Sequence, residues 1–252
     1  MQEQILKFSQ KEFNTKLGEI WQKLIYEQRP VRKENPKAIV FGGQPGAGKS
    51  SIMMDMKELM LDNNCIIISG DEYRKDHPQF KKIVEHYGDE WSLKTGKWSG
   101  MLVEKIIEKA IKENFNIQVE GTLRDVGIPK RTMEQLKANN YDITLMIVTC
   151  NQKLSWQSTI QRYERDKIFG EIPRAVDEKY YKTLIEDLPQ NAENLYNIKL
   201  HDRFIVWSRD EHYNRNRVYD STINGKFSKE IIERELEPKQ NTEEKSKESL
   251  RR

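Results

Sequence analysis

Gly43-Gln44-Pro45-Gly46-Ala47-Gly48-Lys49-Ser50 is the stretch from which the rest of this chain is read. Its spacing, Gly-x-x-x-x-Gly-Lys-Ser, is a complete phosphate-loop pattern. Glycines there let the backbone turn so that successive N–H groups point inward at phosphate oxygens. A helix opening at Lys49 adds its positive N-terminal end. Lys49 is then placed to bridge β- and γ-phosphates, the Ser50 hydroxyl to meet a Mg²⁺ ion, and Ser51 to bind ATP with the rest of the loop. The setting agrees: Ala38-Ile39-Val40-Phe41 reads as a short buried strand entering the loop, and 49–61 as the helix leaving it. The bland alternative is a glycine turn with no ligand.

The same alternation continues outward. Cys65-Ile66-Ile67-Ile68 reads as a strand ending at Ser69-Gly70-Asp71, and 115–119 as a strand ending at Glu120-Gly121-Thr122. Residues 143–148 form the most apolar strand, with 204–206 and 218–219 as short late strands. Helices are expected over 101–111, 129–136 (with Pro129 in its first turn), 155–165, 178–188 and 229–236. Strands alternating with helices predict an α/β fold of the P-loop NTPase type: a mostly parallel central sheet with helices on both faces. Ahead of it, the capping-box pattern Ser9-x-x-Glu12 precedes apolar residues at helical spacing from Phe13 to Ile25.

Composition narrows the class. The chain has 252 residues, 33% of them charged, with 43 basic and 40 acidic side chains. Mean hydropathy is −0.85. No run approaches the ~20 apolar residues of a spanning helix, and the N-terminus lacks a signal-peptide pattern, so a cytoplasmic protein with no membrane partner is expected. A net charge of +3, without a concentrated basic face, argues against nucleic-acid binding. Cys65 and Cys150 lie in apolar runs and read as buried free thiols.

In open α/β sheets, ligands bind beyond the carboxyl ends of the strands. Asp71 and Glu120 follow two successive strands and are expected to face the phosphate loop. A phosphotransferase needs a carboxylate to accept the proton of the attacking hydroxyl, and small kinases close a lid whose arginines neutralise the transferring group. The alternatives are ordinary ones: a helix cap at Asp71, and solvated arginines at Arg124, Arg162 and Arg174. Pattern alone does not single out those three.

The sequence resembles the zeta toxins of bacterial epsilon/zeta-type toxin–antitoxin systems. The resemblance rests on Gly42 to Lys49, Ser69-Gly70-Asp71-Glu72-Tyr73-Arg74 with His77-Pro78, Val119-Glu120-Gly121-Thr122-Leu123-Arg124, Ile160-Gln161-Arg162-Tyr163-Glu164 and Pro173-Arg174-Ala175. Trp207-Ser208-Arg209-Asp210 and Val218-Tyr219-Asp220-Ser221 resemble the family's end. It implies a kinase of UDP-N-acetylglucosamine that phosphorylates the 3′-hydroxyl of the amino sugar and blocks peptidoglycan synthesis. By the same resemblance, Asp71 is the base, Lys49 and Ser50 hold phosphate and Mg²⁺, and Arg162 and Arg174 stabilise the transferring phosphoryl group. Glu104, Glu120 and Thr122 resemble sugar-nucleotide contacts, with Arg124 a further candidate beside Lys94 and Lys97. A cognate helical antitoxin is implied as partner, in a hetero-oligomer.

The expected organisation is an N-terminal helical segment over 1–36, a P-loop kinase domain with a small-kinase-like lid over 37–236, and a disordered charged tail over 237–252. Trp91 and Trp98 either stack on uracil or pack in the core. The N-terminal segment either packs on the domain or meets the antitoxin. Competing functions are a P-loop kinase of another nucleotide sugar or hydroxyl substrate, and a non-catalytic ATP-gated binding protein.

Overall fold

The computed structural model describes residues 2–31 and 35–237. Helix α1 (Gln10–Ile25) opens on the expected capping box. The Ser9 hydroxyl accepts from the Glu12 N–H at 3.2 Å, and the Glu12 carboxylate accepts from the Ser9 N–H at 2.8 Å. Phe13, Ile20 and Trp21 on its apolar stripe are buried in the main core, so the N-terminal segment packs on the domain.

Strand β1 (Lys37–Gly42) enters the phosphate loop and α2 (Lys49–Leu61) leaves it. Then come β2 (Ile66–Ser69) and three short helices, α3 (Gly70–Tyr73), α4 (Phe80–Tyr87) and α5 (Trp91–Lys94). Next are α6 (Gly96–Lys112), β3 (Ile117–Glu120), α7 (Gly127–Lys137) and β4 (Asp142–Cys150). The chain continues with α8 (Gln152–Ile168), α9 (Glu178–Ile198), β5 (Arg203–Arg209), β6 (Arg215–Asp220) and α10 (Glu230–Leu236).

The six strands lie in the order β2-β3-β1-β4-β5-β6. All neighbours are parallel except β5 and β6. Because side chains alternate along a strand, β1 feeds two cores. Ala38 and Val40 join the larger one with α1, α6, α7, α9 and α10, while Ile39 and Phe41 meet Ile52, Met53 and Met56 of α2 on the opposite face.

Register sets the function. Phe41 pairs with Glu120, and Ser69 pairs with Glu120, so the carboxyl ends of β1, β2 and β3 stand level. Their following loops therefore leave the sheet from one edge. The order of connection reverses between β3 and β4 around β1, which opens a crevice at that edge.

Some boundaries differ from expectation. The helix expected to stop at residue 188 runs through Pro189 to Ile198. A proline forfeits one backbone bond. Here Leu188, Pro189, Ala192 and Leu195 are all buried, with Leu188, Ala192 and Leu195 in the main core, and that burial outweighs the loss. Helix α6 starts five residues earlier than expected, at Gly96 rather than 101. Of the tail expected from 237 onward, 238–252 lie outside the described residues. Among the described residues, no helix is long and apolar enough to cross a membrane.

Candidate active site

The phosphate loop holds its shape through positions that admit no side chain. Gly43 has φ +143°, and a Cβ there would lie 1.9 Å from the Val148 carbonyl oxygen. Gly46 has φ +76°, and its Cβ would lie 2.1 Å from the Ser155 carbonyl oxygen. Gln44 is wholly buried and donates through Nε2 to the Cys150 carbonyl at 2.8 Å, so it pins the loop to the end of β4. Gly43 and Gln44 thus shape the loop from below. Pro45 to Ser51 face the cavity above it.

Lys49 is 8% exposed. Its ammonium donates to the carbonyls of Gly43 at 3.0 Å and Gln44 at 3.1 Å. Glu120 Oε1 stands 3.9 Å away. Burial lowers the lysine's pKa, and the carboxylates of Glu120 and Asp71 partly restore it. The Lys49 ammonium and the Asp71 carboxylate therefore share one electrostatic neighbourhood, on one side of the sheet.

Asp71 sits in the first turn of α3, immediately past β2. Arg74 donates through Nε to Oδ1 at 3.1 Å, and Arg174 donates through Nη1 to Oδ2. Burial alone pushes the Asp71 carboxyl up, but Arg174 and Arg74 outweigh it and bring the pKa down to about 2. Glu120 accepts from the Ser69 hydroxyl at 2.8 Å, which fixes one of its oxygens. Arg162, on α8, lines the same cavity, and its Nε and Nη2 are buried without a hydrogen-bond partner. Two unpaired guanidinium donors in a cleft are chemically matched by an anion. Burial and the neighbouring Arg174 pull the Arg162 pKa down, while Asp71 opposes them.

The cavity has a volume of about 1490 Å³. Beyond Glu120 its wall is the loop carrying Thr122 and Arg124. Tyr180 of α9 donates from its hydroxyl to Thr122 Oγ1 at 3.2 Å, and the Arg124 guanidinium lies 4.9 Å from the Tyr180 ring centre. Asn191 Nδ2 donates to the Leu123 carbonyl at 2.9 Å. Leu123 adopts φ +60°, and its side chain fills the space a Cβ on Gly42 would need, 2.1 Å from that position.

The residues expected at the site separate into two groups. Asp71, Lys49, Ser50, Ser51, Glu120, Thr122, Arg124, Arg162 and Arg174 all line the cavity. Glu104 does not: it is exposed on α6, one residue past the cavity-lining Val103. Lys94 and Lys97 also stand outside it, and Lys94 pairs with Glu90 at 3.6 Å. Trp91 and Trp98 are core residues, 2% and 1% exposed, which excludes the stacking role. Their indole N–H groups donate to the carbonyls of Pro173 and Tyr73 at 2.9 and 3.0 Å. Sequence reasoning gave no site role to Arg209, Tyr213 and Arg215, which line the phosphate-loop end of the cavity from β5, the loop after it and β6. The available signal was the stretch Trp207 to Asp210 at a strand's carboxyl end.

The residues fit a nucleoside triphosphate: a glycine cradle, a buried lysine and two unpaired arginine donors. Among the described residues, no group of three or more His, Cys, Asp or Glu is arranged to hold a metal ion, and Ser50 is one of several hydroxyls at the cavity wall, with Ser51, Thr122 and Ser158.

A family model described as zeta toxin matches residues 22–224. Toxin PezT of Streptococcus pneumoniae serotype 4 is 31% identical over 201 residues, covering 79% of this chain and 78% of that protein. Toxin zeta of Streptococcus pyogenes is 28% identical over 239 residues, covering 93% and 80%. A solved structure from the PezAT chromosomal toxin–antitoxin system of Streptococcus pneumoniae superposes with a TM-score of 0.82 at 27% identity, covering 98% of this chain and 95% of that one.

Proposed function

The chain belongs to the zeta toxin family, and we propose that it is a toxin kinase that moves the γ-phosphoryl group of ATP to the 3′-hydroxyl of UDP-N-acetylglucosamine. Its fold is the kinase-like phosphate-loop fold of its relatives. The observation that carries the proposal is the meeting of Lys49, Asp71, Glu120, Arg162 and Arg174 around one cavity.

Each residue has a task. The loop amides and Lys49 grip the β- and γ-phosphates. Arg162 donates its unpaired N–H groups to the transferring group as charge spreads over its oxygens. Asp71 accepts the proton of the attacking 3′-hydroxyl while the new O–P bond forms and the bond to the leaving ADP oxygen breaks. A carboxylate of low pKa suffices for this, because phosphoryl transfer has a loose transition state and the hydroxyl proton becomes acidic late. Magnesium bound with the nucleotide would neutralise its phosphate oxygens, with the Ser50 hydroxyl as the protein's ligand.

Size supports two substrates. A single-ligand pocket spans roughly 300–1,000 Å³, and this cavity holds about 1490 Å³. The lobe walled by Thr122, Arg124 and Tyr180 offers a cation and an aromatic face to a nucleotide sugar. Phosphorylating that sugar would remove it from peptidoglycan synthesis in the cytoplasm. A cognate helical antitoxin that blocks the cleft is the expected partner, a reading supported by the toxin–antitoxin system of the PezAT relative.

The test is mass spectrometry of UDP-N-acetylglucosamine after incubation with the protein, ATP and Mg²⁺. The expected product carries one added phosphoryl group on the amino sugar. Transfer to a different acceptor, with none to this one, would reject the assignment. ATP binding without any phosphorylated acceptor would favour a nucleotide-gated binding protein instead.

A further inference from the structure

Arg209 ends β5 beside the phosphate loop and is 8% exposed. Its Nε donates to the Ala47 carbonyl at 3.2 Å, and its Nη2 donates to the Gly46 carbonyl at 2.7 Å. A trans peptide points its carbonyl and its N–H in opposite directions. Holding the Ala47 carbonyl therefore fixes the direction of the Gly48 N–H, one of the amides the loop turns toward phosphate.

The same Nη2 also donates to the Ser158 hydroxyl on α8, at 2.7 Å. Ser158 in turn donates to the Leu154 carbonyl at 2.9 Å, so the contact reaches the helix backbone. Ser158 and Arg162 are one turn apart and share a helix face. One guanidinium thus joins the loop that would grip a triphosphate to the turn that carries Arg162. The guanidinium lies 4.9 Å from the Tyr213 ring centre, a cation–π contact that holds its plane. Nη1 is buried with no partner. A lysine cannot replace this arrangement, since a single ammonium lacks the planar fork needed to span two carbonyls and a hydroxyl.

We propose that Arg209 is a positioning residue that couples occupancy of the phosphate loop to the placement of Arg162 against the transferring phosphoryl group. The proposal rests on the phosphotransfer reading above. It divides into a loop arm, made by the Gly46 and Ala47 contacts, and a helix arm, made by the Ser158 contact.

The experiment uses the full chain and two readouts. Calorimetric binding of a non-hydrolysable ATP analogue reports the loop arm without any acceptor. Steady-state kinetics with UDP-N-acetylglucosamine reports the helix arm. Arg209→Lys is expected to weaken analogue binding about 10-fold and to lower kcat about 10-fold. Ser158→Ala keeps both loop contacts, so it should hold analogue affinity within about twofold and lower kcat about fivefold. In an Arg162→Lys background, Ser158→Ala should cause little further loss, because the two changes act on one element.

The proposal is overturned if Ser158→Ala lowers kcat by the same factor in both backgrounds. It is equally overturned if Arg209→Lys lowers only the melting temperature and leaves analogue affinity and kcat unmoved. Absence of turnover in the unmutated chain would instead reject the phosphotransfer reading, and the analogue affinity of Arg209→Lys would still decide the loop arm.

Discussion

Arg174 donates through Nη1 to Oδ2 of Asp71, tying the segment ahead of α9 to the first turn of α3. With Arg74 on Oδ1, both carboxylate oxygens face a cation. In the proposed reaction, Arg174 would exchange the carboxylate for a phosphate oxygen as Asp71 receives the hydroxyl proton. On that proposal the observed pair and the working pair are two states of one arginine.

The Asp71 pKa of about 2 sets a pH window. The folded value lies below the ordinary carboxylate value of about 3.9. The pairing therefore stabilises the fold above about pH 4, and the contribution is lost as pH falls toward about 2. The side chain is 38% exposed, so solvent screening reduces the size of the effect. Melting temperature should fall more steeply between those pH values in the unmutated chain than in Asp71→Asn. Equal slopes would show that the ion pair contributes nothing to folding. At neutral pH, Asp71→Asn should lower kcat by about 10² to 10⁴ with ATP affinity retained.

Lys49 separates activity from stability. Its ammonium is buried and its pKa is lowered, so the folded state bears a cost for the charge. Lys49→Met should abolish turnover and weaken ATP binding while leaving the melting temperature equal to or above that of the unmutated chain. The lost contacts to the Gly43 and Gln44 carbonyls limit the gain. A clear drop in melting temperature by calorimetry would contradict this account.

Trp91 tests the core assignment. Its indole N–H holds the Pro173 carbonyl, next to Arg174, and its ring meets Phe80 edge-on at 5.2 Å. Trp91→Phe keeps most of the packing and loses the hydrogen bond. Turnover should fall about threefold to tenfold as the Arg174 segment loosens, with KM for the sugar nucleotide within about twofold. Unchanged turnover would show that this hydrogen bond does not hold the Arg174 segment.

Glu104 and Glu120 are expected to part company. Glu120 lines the cavity and is held by Ser69, whereas Glu104 is exposed outside it. Glu120→Gln should reduce kcat/KM for the acceptor at least tenfold more than Glu104→Gln does. Equal losses in parallel assays would place both carboxylates on the substrate.

Much of this site is readable from the chain alone, for a geometric reason. Parallel strands send all their carboxyl ends to one edge, so a phosphate loop after β1 brings along whatever follows β2 and β3. That reasoning finds Asp71 and Glu120 without knowing any distance. Arg162 and Arg174 come only through the family resemblance, because an arginine on a helix face or in a loop carries no local signature among 43 basic residues. Arg209 stays hidden for the same reason, since its partners are carbonyls far away in sequence. The continuation of α9 past Pro189 is invisible locally as well, because the apolar contacts that sustain it belong to the main core. Trp91 and Trp98 fit either a groove or a core until their burial is known.

The absent side chain at Gly42 and the inserted one at Leu123 form a matched pair, a hole and its plug. Neither half can be changed alone: a methyl at 42 evicts the plug, and a smaller residue at 123 leaves a void beneath the loop that bears Thr122 and Arg124. A change at either position would therefore reach the cavity wall through packing beneath that loop rather than through contact with a ligand.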